Sequence, residues 1–157
     1  VADFFRQLAG IWPCFALSGD FLVGFPGETE NDMQVTEDWF AAQPFTNAHI
    51  FAYSPRPGTQ AAEAKNHVQA EVKKERSKRL REMAAAKAER FARQLLELPS
   101  LGVVLEGTDP GRGRSEYYVP CIFAPRSKAR IKDLVPAVPV QAEGSTLVVR
   151  AKGVDAG

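Results

Sequence analysis

Asp20-Phe21-Leu22-Val23-Gly24-Phe25-Pro26-Gly27-Glu28-Thr29-Glu30 decides how the first third of this 157-residue chain is read. An apolar run ends in a Gly-Phe-Pro-Gly turn that carries a carboxylate, and the turn opens onto a helical pattern. Thr29 is placed to cap that helix, with Asp32 in its first turn favouring the macrodipole. A strand–turn–helix joint of this kind presents backbone N–H groups at the C-terminal end of a strand, where parallel α/β sheets bind ligands. Taken alone, the turn reads first as a structural connection, with Glu28 a first-turn carboxylate.

Working outward, Val1, Phe4, Phe5 and Leu8 form a helical stripe that Gly10 and Pro13 end. Phe15 to Phe25 reads as a strand buried on both faces. Met33, Thr36, Trp39 and Phe40 share a helix face up to Gln43-Pro44. His49 to Tyr53 is a second short strand, His49 a packed residue of it. Ser54-Pro55-Arg56-Pro57-Gly58-Thr59 is a rigid loop, two prolines fixing φ. This α-β-α-β order predicts parallel pairing. Residues 63–98 predict one long helix with a narrow stripe of Val72, Leu80, Met83, Phe91, Leu95 and Leu98, ended by Pro99. Beyond it, Leu101–Glu106, Glu116–Phe123, Ala137–Gln141 and Thr146–Ala151 predict short strands of a small barrel, with residues 108–114 a turn-rich loop. The predicted division is 1–62, 63–98 and 99–157.

The net charge of +1 is unevenly spread. Residues 1–62 carry two basic and seven acidic groups, residues 63–98 ten and six, residues 99–157 eight and six. A polyanion is therefore expected to touch the later part. Most cations of the 63–98 helix are expected to pair with glutamates at i,i+4. In the barrel, Arg112, Arg114, Tyr117, Tyr118, Arg126, Lys128 and Arg130 mix cations with aromatics, the mixture RNA binding uses. Tyr117 and Tyr118 are adjacent, so one is expected to be exposed.

Cys14 and Cys121 have no metal-type spacing and read as small buried residues. No 18-residue apolar run and no signal-type segment is present, so the expectation is a cytoplasmic protein without membrane contact. No P-loop or hydrolytic triad occurs. The chain opens at Val1 in mid-pattern, which suggests a piece of something longer.

The succession of Asp20–Asp32, His49-Ile-Phe-Ala-Tyr-Ser-Pro-Arg-Pro-Gly-Thr59, Val72-Lys-Lys-Glu-Arg76 with Arg79-Leu80, and Gly113-Arg-Ser-Glu-Tyr-Tyr-Val119 resembles the radical-SAM methylthiotransferases. These enzymes place a methylthio group on C2 of a tRNA adenosine next to the anticodon; a sister branch modifies an aspartate of a ribosomal protein. The Pro-Arg-Pro-Gly-Thr loop looks most like the threonylcarbamoyladenosine branch. The resemblance runs from about Asp3 to about Arg150.

It implies the last two strands and helices of a partial radical-SAM α/β barrel, a basic linking helix and an all-β TRAM-type barrel that binds RNA. Val23, Gly24, Phe25, Pro26, Gly27 and Glu28 match the family's fifth-strand SAM motif. Phe51 and Tyr53 on the next strand, and Arg56 after it, would line the same site. Arg56 reads either as an anion contact or as a solvated partner of a carboxylate such as Glu28. Full-length enzymes use S-adenosyl-L-methionine, cleaved reductively at one of two [4Fe-4S] clusters, and a tRNA anticodon stem-loop. The family's three-cysteine loop is missing from this sequence, so the piece is expected to bind no cluster and to be inactive alone. A stand-alone RNA-binding module, or the branch that modifies the ribosomal-protein aspartate, is the alternative. Two barrel strands without neighbours leave bare edges, and a second copy of the chain is expected to pair with them.

Overall fold

The computed structural model describes residues 2–12, 14–107, 109 and 111–152. Val1, Pro13, Thr108 and Pro110 of the sequence patterns above lie outside them. The chain divides into two compact units, Val1–Ala86 and Lys87–Gly157.

The first unit is helical and α/β. Helix α1 spans Ala2–Ile11, strand β1 Ser18–Val23, helix α2 Glu30–Ala42 and strand β2 Asn47–Ala52. β1 and β2 pair in parallel, with Asp20 opposite His49, Phe21 opposite Ile50 and Leu22 opposite Phe51. Thr29 caps α2 in a reciprocal box: its hydroxyl accepts from the Asp32 N–H, and the Asp32 carboxylate accepts from the Thr29 N–H. Val23, Met33, Phe40, Phe45, Ile50, Leu80 and Ala84 form the core, with Phe21 and Met83 against it. Phe21, Phe40 and Phe45 meet pairwise at centroid distances of 5.0–5.3 Å.

β1 is shorter than residues 15–25, and its burial alternates instead of running continuously. The reason is that only one sheet face is packed. Asp20, Leu22, His49 and Phe51 lie on the other face and are exposed, so His49 is not a packed residue.

The helix expected over 63–98 is also interrupted. A short α3 at Gln60–Glu63, capped by Thr59, ends at Ala64; α4 begins only at Ala70 and runs to Gln94. Between them the Asn66 carbonyl accepts from the Gly27 N–H at 2.9 Å, a contact an unbroken helix would not supply. A 3-10 turn at Leu95–Glu97 follows α4.

The second unit holds a closed five-stranded barrel in the order β3-β4-β5-β7-β6. β3 is Leu101–Leu105, β4 Arg112–Ser115, β5 Pro120–Phe123, β6 Leu134–Glu143 and β7 Thr146–Ala151. All neighbours are antiparallel except β5 and β7. Leu101, Val103, Leu105, Cys121, Phe123, Ala137, Leu147 and Val149 point inward and are buried, as alternation in a barrel requires. The 3-10 turn brings the fully buried Leu95 to this unit.

One strand more is present than the sequence predicts. β4 occupies the second half of the expected loop 108–114, and Glu116–Val119, expected as strand, is the turn after it. Glycine hides this strand in the sequence yet suits it in space: a Cβ on Gly113 would sit 2.5 Å from the Val104 carbonyl oxygen. β6 likewise contains two prolines. A register shift between Pro139 and Gln141 absorbs the second as a bulge.

Burial pushes the Cys121 thiol up to about 12. In a Cys14→Ser variant at pH 8, Cys121 is therefore expected to react with a chromogenic disulfide only as fast as the barrel unfolds. Fast stoichiometric labelling of the native chain would place this thiol outside the core.

Candidate functional site

The turn after β1 is built by its sequence. Pro26 and Gly27 occupy the two central positions of a four-residue turn closed by Glu28 N–H donating to the Phe25 carbonyl at 2.9 Å, and Gly27 has φ +86°. Proline then glycine is the composition of a type II turn. Gly24 also has positive φ, +75°, and the Lys73 stem lies where its Cβ would be, at 2.2 Å. No other residue fits there.

The Glu28 carboxylate faces inward. Its Oε1 accepts from the Gly24 N–H at 2.9 Å and from Arg76 Nη1 at 2.6 Å. Arg76 is 4% exposed, and Nη1 also donates to the Glu28 carbonyl at 3.1 Å. Its other nitrogens reach Glu30 Oε2 at 3.3–3.4 Å. Arg79 extends the network, donating to Glu30 Oε1 at 2.6 Å and lying 2.9 Å from Glu37. The Arg79 hydrogen bond holds the Glu30 carboxyl below its ordinary value, against the opposing effect of desolvation. Lys73 Nζ donates to the Tyr53 carbonyl at 3.1 Å, and Arg81 Nη2 to the Ile50 carbonyl at 3.2 Å. The Tyr53 N–H donates to the Val23 carbonyl at 2.8 Å. The first half of α4 thus stitches together the C-terminal ends of both strands.

This differs from the i,i+4 pairing expected along the basic helix. Lys78–Glu82 and Arg93–Glu89 follow that pattern, at 3.9 and 3.5 Å and in the open. Lys73, Arg76, Arg79 and Arg81 instead reach across to the strands and the turn. Sequence reading named none of these four as site residues. The available signal was Arg76 itself, whose position three before Arg79 and four before Leu80 puts it beside the core stripe.

Of the residues assigned to the cofactor wall, Val23 and Gly24 are buried, and Phe25 and Phe51 are about half exposed. Tyr53 is buried against Phe25 in an edge-on contact at 5.2 Å, and its hydroxyl has no hydrogen-bond partner among the described residues. Pro26 and Gly27 form the turn crest. Arg56 is exposed and makes no ion pair among the described residues; the partner of Glu28 is Arg76. Leu22, Phe25 and Phe51 leave apolar side chains exposed near the strand ends. No group of three or more His, Cys, Asp or Glu among the described residues can hold a metal ion, so these side chains do not fit an iron–sulfur cluster.

The seven barrel residues do not form one surface. Strand polarity puts the ends of β3, β5 and β7 and the starts of β4 and β6 on one rim. Arg112 opens β4 there, and Arg126, Lys128 and Arg130 lie in the strap from β5 to β6. Asp109 joins the two groups, 2.5 Å from Arg126 and 3.7 Å from Arg112. Tyr117 and Tyr118 belong to the β4–β5 turn on the opposite rim. Tyr118 is 77% exposed at φ +60°, whereas Tyr117 is half-buried edge-on to Phe91 at 6.2 Å. One tyrosine is exposed, as expected, but turn geometry separates them and not strand alternation. Arg114 lies between the rims, pairing with Glu106 at 3.2 Å and donating to the Tyr118 carbonyl.

No protein-family model matches the chain. Its sequence is similar to tRNA methylthiotransferases. It is 38% identical over 113 residues, 70% of the chain, to the tRNA-2-methylthio-N(6)-dimethylallyladenosine synthase of Bartonella bacilliformis, and covers 25% of that protein. Over 75 residues it is 49% identical to the protein of the same name from Zymomonas mobilis, 48% of the chain and 17% of that relative. The like-named Francisella philomiragia protein is 41% identical over 103 residues, 66% of the chain and 23% of the relative. The chain thus spans at most about a quarter of these curated relatives.

Removing one partner of the Glu28–Arg76 pair leaves a charge shielded from water. Arg76→Met is expected to cost about 3–5 kcal/mol of unfolding free energy in urea. The Glu28→Leu, Arg76→Met double variant should recover part of it, and only part, because the Gly24 N–H loses its acceptor. Additive losses would show that the two side chains do not interact. For Glu30 the sign follows from its lowered native pKa: the stabilisation is present above the unfolded value and lost as pH falls below about 4. Glu30→Gln should flatten the acid limb of the stability profile, and an unchanged limb would remove Glu30 from the network.

Proposed function

We propose that this chain is the C-terminal part of a radical-SAM tRNA methylthiotransferase, supplying one wall of the SAM site and an RNA-binding TRAM-type barrel. The carrying observation is the join between a type II turn at a strand end and the helix that locks it, in a sequence similar to synthases of that activity. The names of those relatives favour the dimethylallyladenosine branch over the threonylcarbamoyladenosine branch that the Pro55–Thr59 loop resembles. We take the former as the substrate class.

S-adenosyl-L-methionine, when bound, supplies the radical and methyl chemistry of this family. Residues of this chain contribute binding and orientation. Phe25 and Phe51 offer exposed rings at the strand ends, Val23 and the crest Pro26-Gly27 shape the wall, and the Tyr53 hydroxyl is a polar group awaiting a partner. Glu28 acts through the backbone by fixing Gly24. Arg56, exposed in its rigid loop, serves in this reading as an anion contact. The barrel contributes tRNA binding through Arg112, Arg126, Lys128 and Arg130 on one rim, while Arg114 is paired with Glu106 and the Tyr117-Tyr118 turn lies at the other. The two clusters belong to other parts of such an enzyme.

A chimera tests this. The chain replaces the matching quarter of the Bartonella-type synthase in a bacterium lacking its own enzyme, and tRNA nucleosides are analysed by mass spectrometry. The chimera should restore 2-methylthio-N(6)-dimethylallyladenosine, and the chain alone should not. A well-expressed chimera that methylthiolates only threonylcarbamoyladenosine would reverse the branch assignment. Activity of the chain alone would overturn the division of labour.

β1 and β2 each have one strand neighbour among the described residues. In the isolated chain a second copy is expected to cover the bare edges and the exposed Leu22–Phe51 face. Sedimentation equilibrium should give about twice the 17.2 kDa chain mass. A monomer at tens of micromolar would exclude this pairing.

A further inference from the structure

The cations of the barrel are segregated. Arg112, the strap Arg126-Ser127-Lys128-Ala129-Arg130-Ile131-Lys132 and the end of β7 with Arg150 and Lys152 all belong to one rim. Of the eight cations after residue 99, Arg114 alone lies elsewhere. The strap alternates: Arg126, Lys128, Arg130 and Lys132 are exposed, while Ser127, Ala129 and Ile131 are half-buried. Four cations thus face solvent along one connected segment.

The strap is held by its backbone. Ala124 N–H donates to the Val149 carbonyl, Lys132 N–H to the Leu105 carbonyl, and Arg130 N–H to an Asp133 carboxylate oxygen at 2.9 Å. Ser127 Oγ accepts from the Ala129 N–H at 3.1 Å. These contacts leave the long side chains free to point outward. Three carboxylates lie nearby. Glu106 faces Arg114, Asp109 faces Arg126 and Arg112, and Asp133 faces a backbone N–H. Lys128, Arg130, Lys132, Arg150 and Lys152 form no ion pair among the described residues. A run of surface cations is ordinarily a solvated face. Here an ordered scaffold gathers them on one end of a closed barrel and sends the exposed tyrosine to the other.

We infer that this rim is a phosphate-backbone site that grips RNA without reading its bases, resting on the RNA-binding reading above. Cations without rings neutralise phosphates and release counterions, and they carry no sequence information. Base stacking needs an aromatic face. Tyr118, the exposed ring of the barrel, is at the far rim. Leu134, exposed at the start of β6 beside the strap, is aliphatic.

The test uses the full chain and two fluorescein-labelled RNA hairpins of equal length and different loop sequence, read by anisotropy from 50 to 300 mM salt. Wild type should bind both hairpins within about threefold. The Arg126→Gln, Lys128→Gln, Arg130→Gln, Lys132→Gln variant, checked for an unchanged melting transition, should lose about tenfold or more on both. Its log K against log salt slope should flatten by about 3. Arg130→Gln alone should flatten it by about 1 and serves if the fourfold variant misfolds. Tyr118→Ala should bind as wild type. Unchanged slopes in the strap variants, or a tenfold loss in Tyr118→Ala, would overturn the rim assignment while leaving RNA binding in place. Failure of wild type to bind either hairpin, or binding to anionic vesicles in its place, would overturn the RNA reading itself.

Discussion

The first unit depends on one buried ion pair. Arg76 reaches from α4 to the Glu28 carboxylate, which at the same time holds the Gly24 N–H. A lone guanidinium in that position would carry a large desolvation penalty, so the pair constrains where α4 lies relative to the turn. Leu80 lies one turn further along the same helix and is fully buried in the core. The pair therefore ties polar and apolar registers together: α4 cannot shift by a residue without stranding a charge or exposing Leu80. Lys73 follows from the same register, since its stem fills the space over Gly24 and its ammonium reaches Tyr53.

This changes what the Phe-Pro-Gly-Glu stretch means. A carboxylate at a ligand-facing strand end invites the reading of a ligand contact. Its oxygen is instead engaged by the chain's own groups, and what the turn offers outward is an apolar surface with a crest of Pro and Gly. The exposed rings and the turn crest are what this strand end presents, with the carboxylate one step behind them.

Much of the fold was legible because local chemistry and global packing agree. The Thr29–Asp32 box, the turn composition, the parallel strand order and the inward alternation of the barrel can all be read from residues a few positions apart. What was hidden is non-local. The break at 64–69 exists because Asn66 bonds Gly27, some forty residues earlier. The cross-links of Lys73, Arg76, Arg79 and Arg81 look in sequence like any basic helix face. β4 escapes propensity because Arg-Gly-Arg-Ser has none for a strand; it forms because neighbouring strands need a partner and Gly113 lets Val104 approach.

The barrel shows how topology sorts charge that sequence only lists. Arg112, Arg114, Tyr117 and Tyr118 fall within seven residues and read as one mixed patch. A strand of four residues separates them by roughly 10–13 Å along the barrel, enough to put the first cation on one rim and the tyrosine turn on the other. Arg126 to Lys132 return to the first rim because β5 runs opposite to β4. Closure then leaves no free edge to recruit a partner strand, so side chains at the rims are what this unit offers. A rim of cations without rings recognises charge and spacing. Tyr118, the exposed ring of the barrel, stands at the opposite rim, so charge and stacking chemistry are kept apart by the same topology.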